Sequence, residues 1–213
     1  MPSPATAGII DSEEMLREIM GETMEIAVTK CCAKLDSHAR DFISRSPFLC
    51  IGTANARGRS DLSPRGDAPG FVQVLDDNRL YIPDRPGNNR LDTMTNIIEN
   101  PNVGLLFMVP GFNDTLRVNG RAWITRDAAL AGGSQIKGRV PKVGILIEVA
   151  EVFLHCAKAF IRSGLWKPES LQDRNEMPSL AHMILDQTQA APTPLDIEEA
   201  DEVIEENYRN ELY

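Results

Sequence analysis

The spacing of apolar residues changes character once, near Phe48, and the predicted elements follow from that change. Before it, apolar side chains recur at helical intervals: Met15, Ile19 and Met20, then Met24, Val28, Cys31 and Leu35. Residues three and four apart share one helix face, so this pattern predicts helices rather than strands. The first opens at Asp11 and stops at Gly21. The second runs from Thr23 to Leu35. The third runs from a cap at Asp36 or Ser37 to Arg45, and Pro47 ends it. Residues 1–10 read as a loose leader.

From Phe48 onward short apolar runs alternate with turn residues. Strands are predicted at Phe48–Ala54, Asp61–Pro64, Phe71–Leu75, Leu80–Ile82, Val103–Val109, Thr115–Thr125 and Val143–Leu154. In Thr115–Thr125, Leu116, Val118, Gly120, Ala122 and Ile124 alternate with Arg117, Asn119, Arg121 and Trp123, the period of two expected of a strand buried on one face. Pro64 lacks an N–H, which implies an edge, a bulge or a kink. One long helix interrupts the strands, Asn89–Glu99, with Leu91, Met94, Ile97 and Ile98 on one side. A short helix is predicted from Asp127 to Ala131 and others at His155–Leu165, Ser179–Gln187 and Asp196–Arg209, with a loop at 190–194 before the last. Tight turns and a single long inserted helix predict an antiparallel barrel, not a parallel sheet.

Charge adds a partition to this picture. The net charge is -9 over 213 residues, and the acids crowd the last segment: Asp196, Glu198, Glu199, Asp201, Glu202, Glu205, Glu206 and Glu211 against Arg209. The middle is locally basic, with Arg57, Arg59, Arg65, Arg79, Arg85, Arg90, Arg117 and Arg121. An acidic chain with a basic centre argues against non-specific nucleic-acid binding and for a small anionic ligand. No apolar run is long enough to span a bilayer, and Met1–Pro4 begins no signal peptide, so a cytoplasmic location is expected. Cys31, Cys32, Cys50 and Cys156 form no CxxC pair and read as reduced thiols. His38, His155 and His182 have no metal-ligand spacing, so no metal site is expected.

The chemistry concentrates in Tyr81–Thr93. A strand ends, Pro83, Pro86 and Gly87 fix a turn, and Arg85, Asn88, Asn89 and Arg90 surround the start of the predicted helix. Helix starts carry unpaired N–H groups and the positive end of the dipole, so such a turn suits an anion, most often a phosphate.

Four segments in order carry a resemblance: Asp61–Asp67 (DLSPRGD), Ile82–Arg90 (IPDRPGNNR), Asn100–Phe107 (NPNVGLLF) and Leu116–Ala122 (LRVNGRA). Residues from about 47 to 126 resemble the pyridoxamine 5'-phosphate oxidase-like family of FMN-binding split β-barrels. The resemblance implies a mainly-β fold with flanking helices: an N-terminal helical extension over 1–46, the split barrel over 47–156, and a C-terminal helical extension over 157–213 packed on the barrel or on a dimer partner. It implies a homodimer with FMN at the subunit interface. Arg85, Asn88, Asn89 and Arg90 would hold the FMN phosphate. Ile82, Pro83 and Asp84 would run under the isoalloxazine, and Ser63, Pro64 and Arg65 would flank it. Thr115 and Arg117 match strand positions that approach the ring or phosphate. A second lead is His155–Trp166, where Lys158, Arg162 and Trp166 recur at i, i+4 and i+8. The Pro-Arg-Gly-Asp and Pro-Gly-Asn-Asn-Arg motifs resemble a subgroup described as probable FMN-dependent enzymes, in which a similar segment follows the last strand; this implies that the segment would cover the partner's flavin.

The chain also departs from the family pattern. Asn88-Asn89-Arg90 stands where pyridoxamine phosphate oxidases carry a Ser-Arg-Lys-like run, and their C-terminal Arg-Leu-x-x-Arg-like segment is missing. Pyridoxamine phosphate oxidation is therefore not expected, whereas FMN binding is. No residue reads as an obligatory acid, base or nucleophile, which fits hydride transfer over N5. The expected function is an FMN-dependent oxidoreductase acting on a small molecule, with NADH or NADPH as a transient donor in the absence of a GxGxxG. The alternatives are a non-catalytic flavin-binding or flavin-sensing protein and a haem- or deazaflavin-using relative.

Overall fold

The computed structural model describes residues 8–188 and 193–213. Most of the expected leader and the first half of the expected 190–194 loop lie outside these residues. Helix α1 (Glu13–Met20) is capped by the Ser12 hydroxyl, which accepts from Met15 N at 3.2 Å, and ends at Gly21, whose φ of 77° suits glycine. Helix α2 (Glu25–Thr29) stops six residues short of the expected Leu35. Cys32 pairs instead with Val152 of the sheet, through N–H···O bonds of 2.9 and 2.8 Å, so the sheet takes the backbone that the helical spacing claimed. Helix α3 (Ser37–Arg45) is capped by the Asp36 carboxylate and buries Ala39, Phe42 and Ile43.

Seven strands follow: β1 (Phe48–Ala54), β2 (Ser60–Gly66), β3 (Gln73–Val74), β4 (Arg79–Pro83), β5 (Asn102–Met108), β6 (Thr115–Thr125) and β7 (Gly144–His155). Every pairing is antiparallel, in the order β2-β1-β5-β6-β7-β4-β3, and the sheet does not close. The mainly-β fold with flanking helices is as the sequence predicts. Pro64 does not interrupt β2; it pairs with Cys50 on an edge strand, where its missing N–H is tolerated. Alternate residues enter one core that includes Leu49, Ile51, Leu80, Ile82, Phe107, Leu116, Val118, Ile145 and Ile147, each at most 1% exposed.

Helix α4 (Asp92–Glu99), between β4 and β5, packs on β1, β2 and β6. A short α5 (Ala128–Gly132) precedes β7, and α6 (Lys158–Ser163), α7 (Leu180–Thr188) and α8 (Pro194–Asn210) follow it. Helix α8 begins with a reciprocal capping box between Thr193 and Asp196 and contacts α7. Among the described residues no helix is long and apolar enough to cross a membrane.

Candidate functional site

The sheet order puts β2 at one edge and β4 next to the other, yet their C-terminal ends meet. Two crossed ion pairs join them: Arg65 Nη1 lies 3.3 Å from Asp84 Oδ1, and Arg85 Nε donates to Asp67 Oδ2 at 2.6 Å. The sheet therefore curls until its ends form a crease. Arg65 and Asp67 are two residues apart on an extended segment and so face the same way. Asp67 is the more enclosed partner, with its side chain 1% exposed against 18% for Arg85. Its other oxygen accepts from Ala68 N at 2.7 Å and from the Tyr213 hydroxyl at 3.0 Å. Donating to that carboxylate raises the Tyr213 phenol above its ordinary pKa. Arg85 Nη1 donates to the Ser134 carbonyl at 2.9 Å.

The second pair is less well satisfied. Burial raises the Asp84 carboxyl above the usual carboxylate range, although Arg65 and Arg85 pull it down. Arg65 Nε is buried with no hydrogen-bond partner among the described residues. Buried donors are rarely left so, and an orphaned one in a crease calls for an explanation.

The turn beyond Arg85 differs from the expected helix start. Helix α4 begins at Asp92, three residues after the expected Asn89, because Asn89 (φ 57°) and Leu91 (φ 63°) take left-handed backbone. Asn88 Oδ1 accepts from Arg90 N at 3.1 Å, and Arg90 Nε donates to Asp92 Oδ2 at 2.7 Å. An acid thus sits in the first turn of the helix, where an anion was expected. Asn88, Asn89 and Arg90 are exposed, while Ile82 and Pro83 are buried and belong to the ladder with β7. Asp84 N donates to the Val143 carbonyl at 3.1 Å, so the backbone ahead of Arg85 is already engaged.

The remaining predicted residues lie elsewhere. Register aligns Pro64, Cys50, Leu106 and Arg117 in one row across β2, β1, β5 and β6. Three strand spacings, about 14 Å, separate Arg117 from Pro64 within one chain. Arg117 stacks on Phe153 at 5.1 Å, and Thr115, 3% exposed, pairs with His155. The expected helix His155–Leu165 is shorter, and Gly164 (φ 62°) ends it. Trp166 therefore does not continue a helical stripe with Lys158 and Arg162. It stacks on Phe160 at 5.8 Å and donates from Nε1 to the Phe112 carbonyl at 2.7 Å, which fastens the segment to the β5–β6 turn. Lys158 and Arg162 are exposed. An open groove of about 900 Å³ crosses β2, β1, β5 and β6 over Gly52, Gly104 and Gly120, with Asp61, Asn119 and Arg121 at its rim.

The pyridoxamine 5'-phosphate oxidase sequence profile matches residues 35–156, more than half of the chain. The chain belongs to the pyridoxamine 5'-phosphate oxidase family. No curated protein matches it. Among solved structures it is similar to HupZ of Group A Streptococcus (20% identity, 56% of this chain and 93% of that one, TM-score 0.48). It is also similar to general stress protein 26 of Bacillus anthracis (18%, 54% and 88%, TM-score 0.41) and to an F420 reductase (16%, 55% and 98%, TM-score 0.42). The family match runs from just before α3 to the residue after β7, and so includes both halves of the crease.

Sequence reasoning missed Asp67, Ser134 and Tyr213 as members of this site. Asp67 carried a signal: it follows Arg65 at the strand period in Ser63-Pro64-Arg65-Gly66-Asp67. The other two reach Arg85 only through the fold.

Proposed function

We propose that this protein binds FMN in the crease between the end of β2 and residues 82–90, and uses it as an oxidoreductase for a small molecule. The observation that carries this reading is the buried, unpartnered Arg65 Nε. A ligand oxygen there would satisfy a donor whose desolvation the fold already bears. Arg90 is available for the phosphate as well, because its pair with Asp92 is exposed and such pairs contribute little. Asn88 and Asn89 would add amide donors beside it. Ser63 and Pro64 on β2, with Pro83 and Asp84 after β4, would position the ring between them. FMN would supply the hydride chemistry, and Arg65 would stabilise negative charge at the edge it meets.

A homodimer accounts for the second group of residues. Arg117 is separated from Pro64 by three strand spacings, about 14 Å, and among the described residues Thr115, Arg117, Lys158, Arg162 and Trp166 make no side-chain hydrogen bond or ion pair with Arg65, Asp67, Asp84 or Arg85. In this reading they cover the flavin of the partner. NADH or NADPH would visit transiently as donor.

Flavin fluorescence quenching tests the reading with two variants. Arg65→Lys keeps the charge but loses Nε and the planar fork. Arg90→Ala loses an exposed cation with little effect on folding. Each is expected to weaken FMN binding roughly 10- to 100-fold, the equivalent of a charge-assisted hydrogen bond of about 1.5–3 kcal/mol. Equal affinity in the parent and both variants would place the anion elsewhere. Anaerobic bleaching of bound flavin by NADPH then separates an enzyme from a passive carrier.

A further inference from the structure

Arg85 is surrounded. Asp67 takes its Nε, the Ser134 carbonyl takes Nη1, and the Tyr213 ring lies over the guanidinium at 5.9 Å. Two more cations converge on the same tyrosine. Lys137 Nζ lies 5.2 Å from the ring, and Arg139 donates to the Tyr213 carbonyl. Both come from a tight turn in which Lys137 (φ 49°) and Gly138 (φ 78°) are left-handed and Ile136 and Arg139 exchange bonds of 3.1 and 2.9 Å. The result is a cradle of three cations holding an aromatic ring and an oxygen.

The segment that delivers Tyr213 is weakly held along its length. Helix α8 has 17 residues, and none is buried. It packs on α7, and three residues beyond its end the Tyr213 hydroxyl meets Asp67. Elements with little buried apolar contact open most readily.

We propose that Tyr213 is a displaceable strap: it occupies the Arg85–Lys137–Arg139 cradle in the flavin-free protein, and FMN takes that place when it binds in the crease. This inference rests on the FMN reading of the previous section. It makes Lys137 and Arg139 further cofactor-binding residues, and it gives the acidic C-terminal helix a role in gating the site. The chemistry is matched, because an aromatic face with adjoining oxygens is also what the pyrimidine edge of a flavin presents. Apparent affinity falls in proportion to the fraction of molecules with the place free, so a strap closed nine-tenths of the time weakens FMN binding about tenfold.

The test measures FMN dissociation constants by fluorescence quenching for the parent, Tyr213→Phe and Tyr213→Ala. Amide hydrogen exchange of residues 206–213 is followed in the parent with and without FMN. The expected result is binding about tenfold tighter in Tyr213→Ala, an intermediate value in Tyr213→Phe, and faster exchange of 206–213 when FMN is added. If FMN binds all three proteins equally and exchange is unchanged, the strap is overturned while the FMN reading stands. Weaker binding in Tyr213→Ala overturns it too, because the ring would then be part of the flavin site. If no protein binds FMN, the FMN reading fails and takes the strap with it.

Discussion

Asp67→Ala is expected to destabilise the protein by about 3–5 kcal/mol, the range for removing one partner of a buried ion pair. The Asp67 side chain is 1% exposed and its partner Arg85 only 18% exposed. Truncation leaves the Arg85 Nε, the Tyr213 hydroxyl and the Ala68 N–H without their acceptor. The uncompensated guanidinium dominates, since a buried charge without a partner costs more than a lost neutral hydrogen bond. For a chain of this length the loss should lower the melting temperature by roughly 10 °C. Asp92→Ala is the control. It breaks the exposed Arg90–Asp92 pair, whose side chains are 69% and 47% exposed, and should cost at most about 1 kcal/mol. Equal melting of the two variants would mean that the Asp67–Arg85 pair does not hold the crease. A double-mutant cycle with Arg85→Ala isolates the coupling, because the second truncation removes the very charge that the first exposed.

The other carboxylate of the crease, Asp84, implies a pH dependence. The Asp84 carboxyl has its pKa raised by burial. The folded state therefore keeps that proton to higher pH than the unfolded chain does. Stability from this group is fully present below the unfolded value and falls as pH rises through the window up to the folded one. Asp84→Asn should flatten that slope in urea titrations followed as pH rises from the ordinary carboxylate range. A slope identical to the parent's would show that Asp84 is not responsible for it.

Where the sequence predicts well, the signal is local and periodic. Thr115–Thr125 has the strand bounds expected of it, because its alternation repeats over eleven residues and the turn before it contains Pro110 and Gly111. The strand–turn–helix order around Arg85 was legible for the same reason. The misses share a cause: a distant partner overrides a local preference. Cys31-Cys32 fits a helix by spacing but pairs with Val152, which lies 120 positions away from Cys32. Leu91 fits the apolar face of α4, yet its left-handed backbone delays that helix to Asp92. The arginines of the turn were visible as cations. Nothing local said which were already paired, so the engagement of Arg85 by Asp67 and Ser134 shows only in the fold.

The register of the second site region depends on one glycine. Residues Ile145, Ile147 and Val149 of β7 are buried, and then the inward phase switches to Val152. The switch is a bulge: Gly120 pairs with Val149 and Asn119 with Glu151, which leaves Ala150 without a partner. It turns Glu151 toward Asn119, whose Nδ2 donates to Oε2 at 2.7 Å, and brings Phe153 under Arg117. A bulge of this kind needs close backbone approach. A Cβ on Gly120 would lie 2.1 Å from the Glu148 carbonyl oxygen and 3.1 Å from its carbon. Both are backbone atoms held in the ladder, so no side-chain rotation relieves the clash. Gly120→Ala is expected to cost about 3 kcal/mol, the upper end for overpacking a filled site. At Gly104, on the neighbouring strand, the nearest atom to a new Cβ is the Asn119 side-chain oxygen at 3.3 Å, which can move. Gly104→Ala should therefore stay within about 1 kcal/mol of the parent. Chemical denaturation of the two variants decides the matter. Equal losses would mean that the bulge relaxes, and the Phe153 platform beneath Arg117 would then be adaptable rather than fixed.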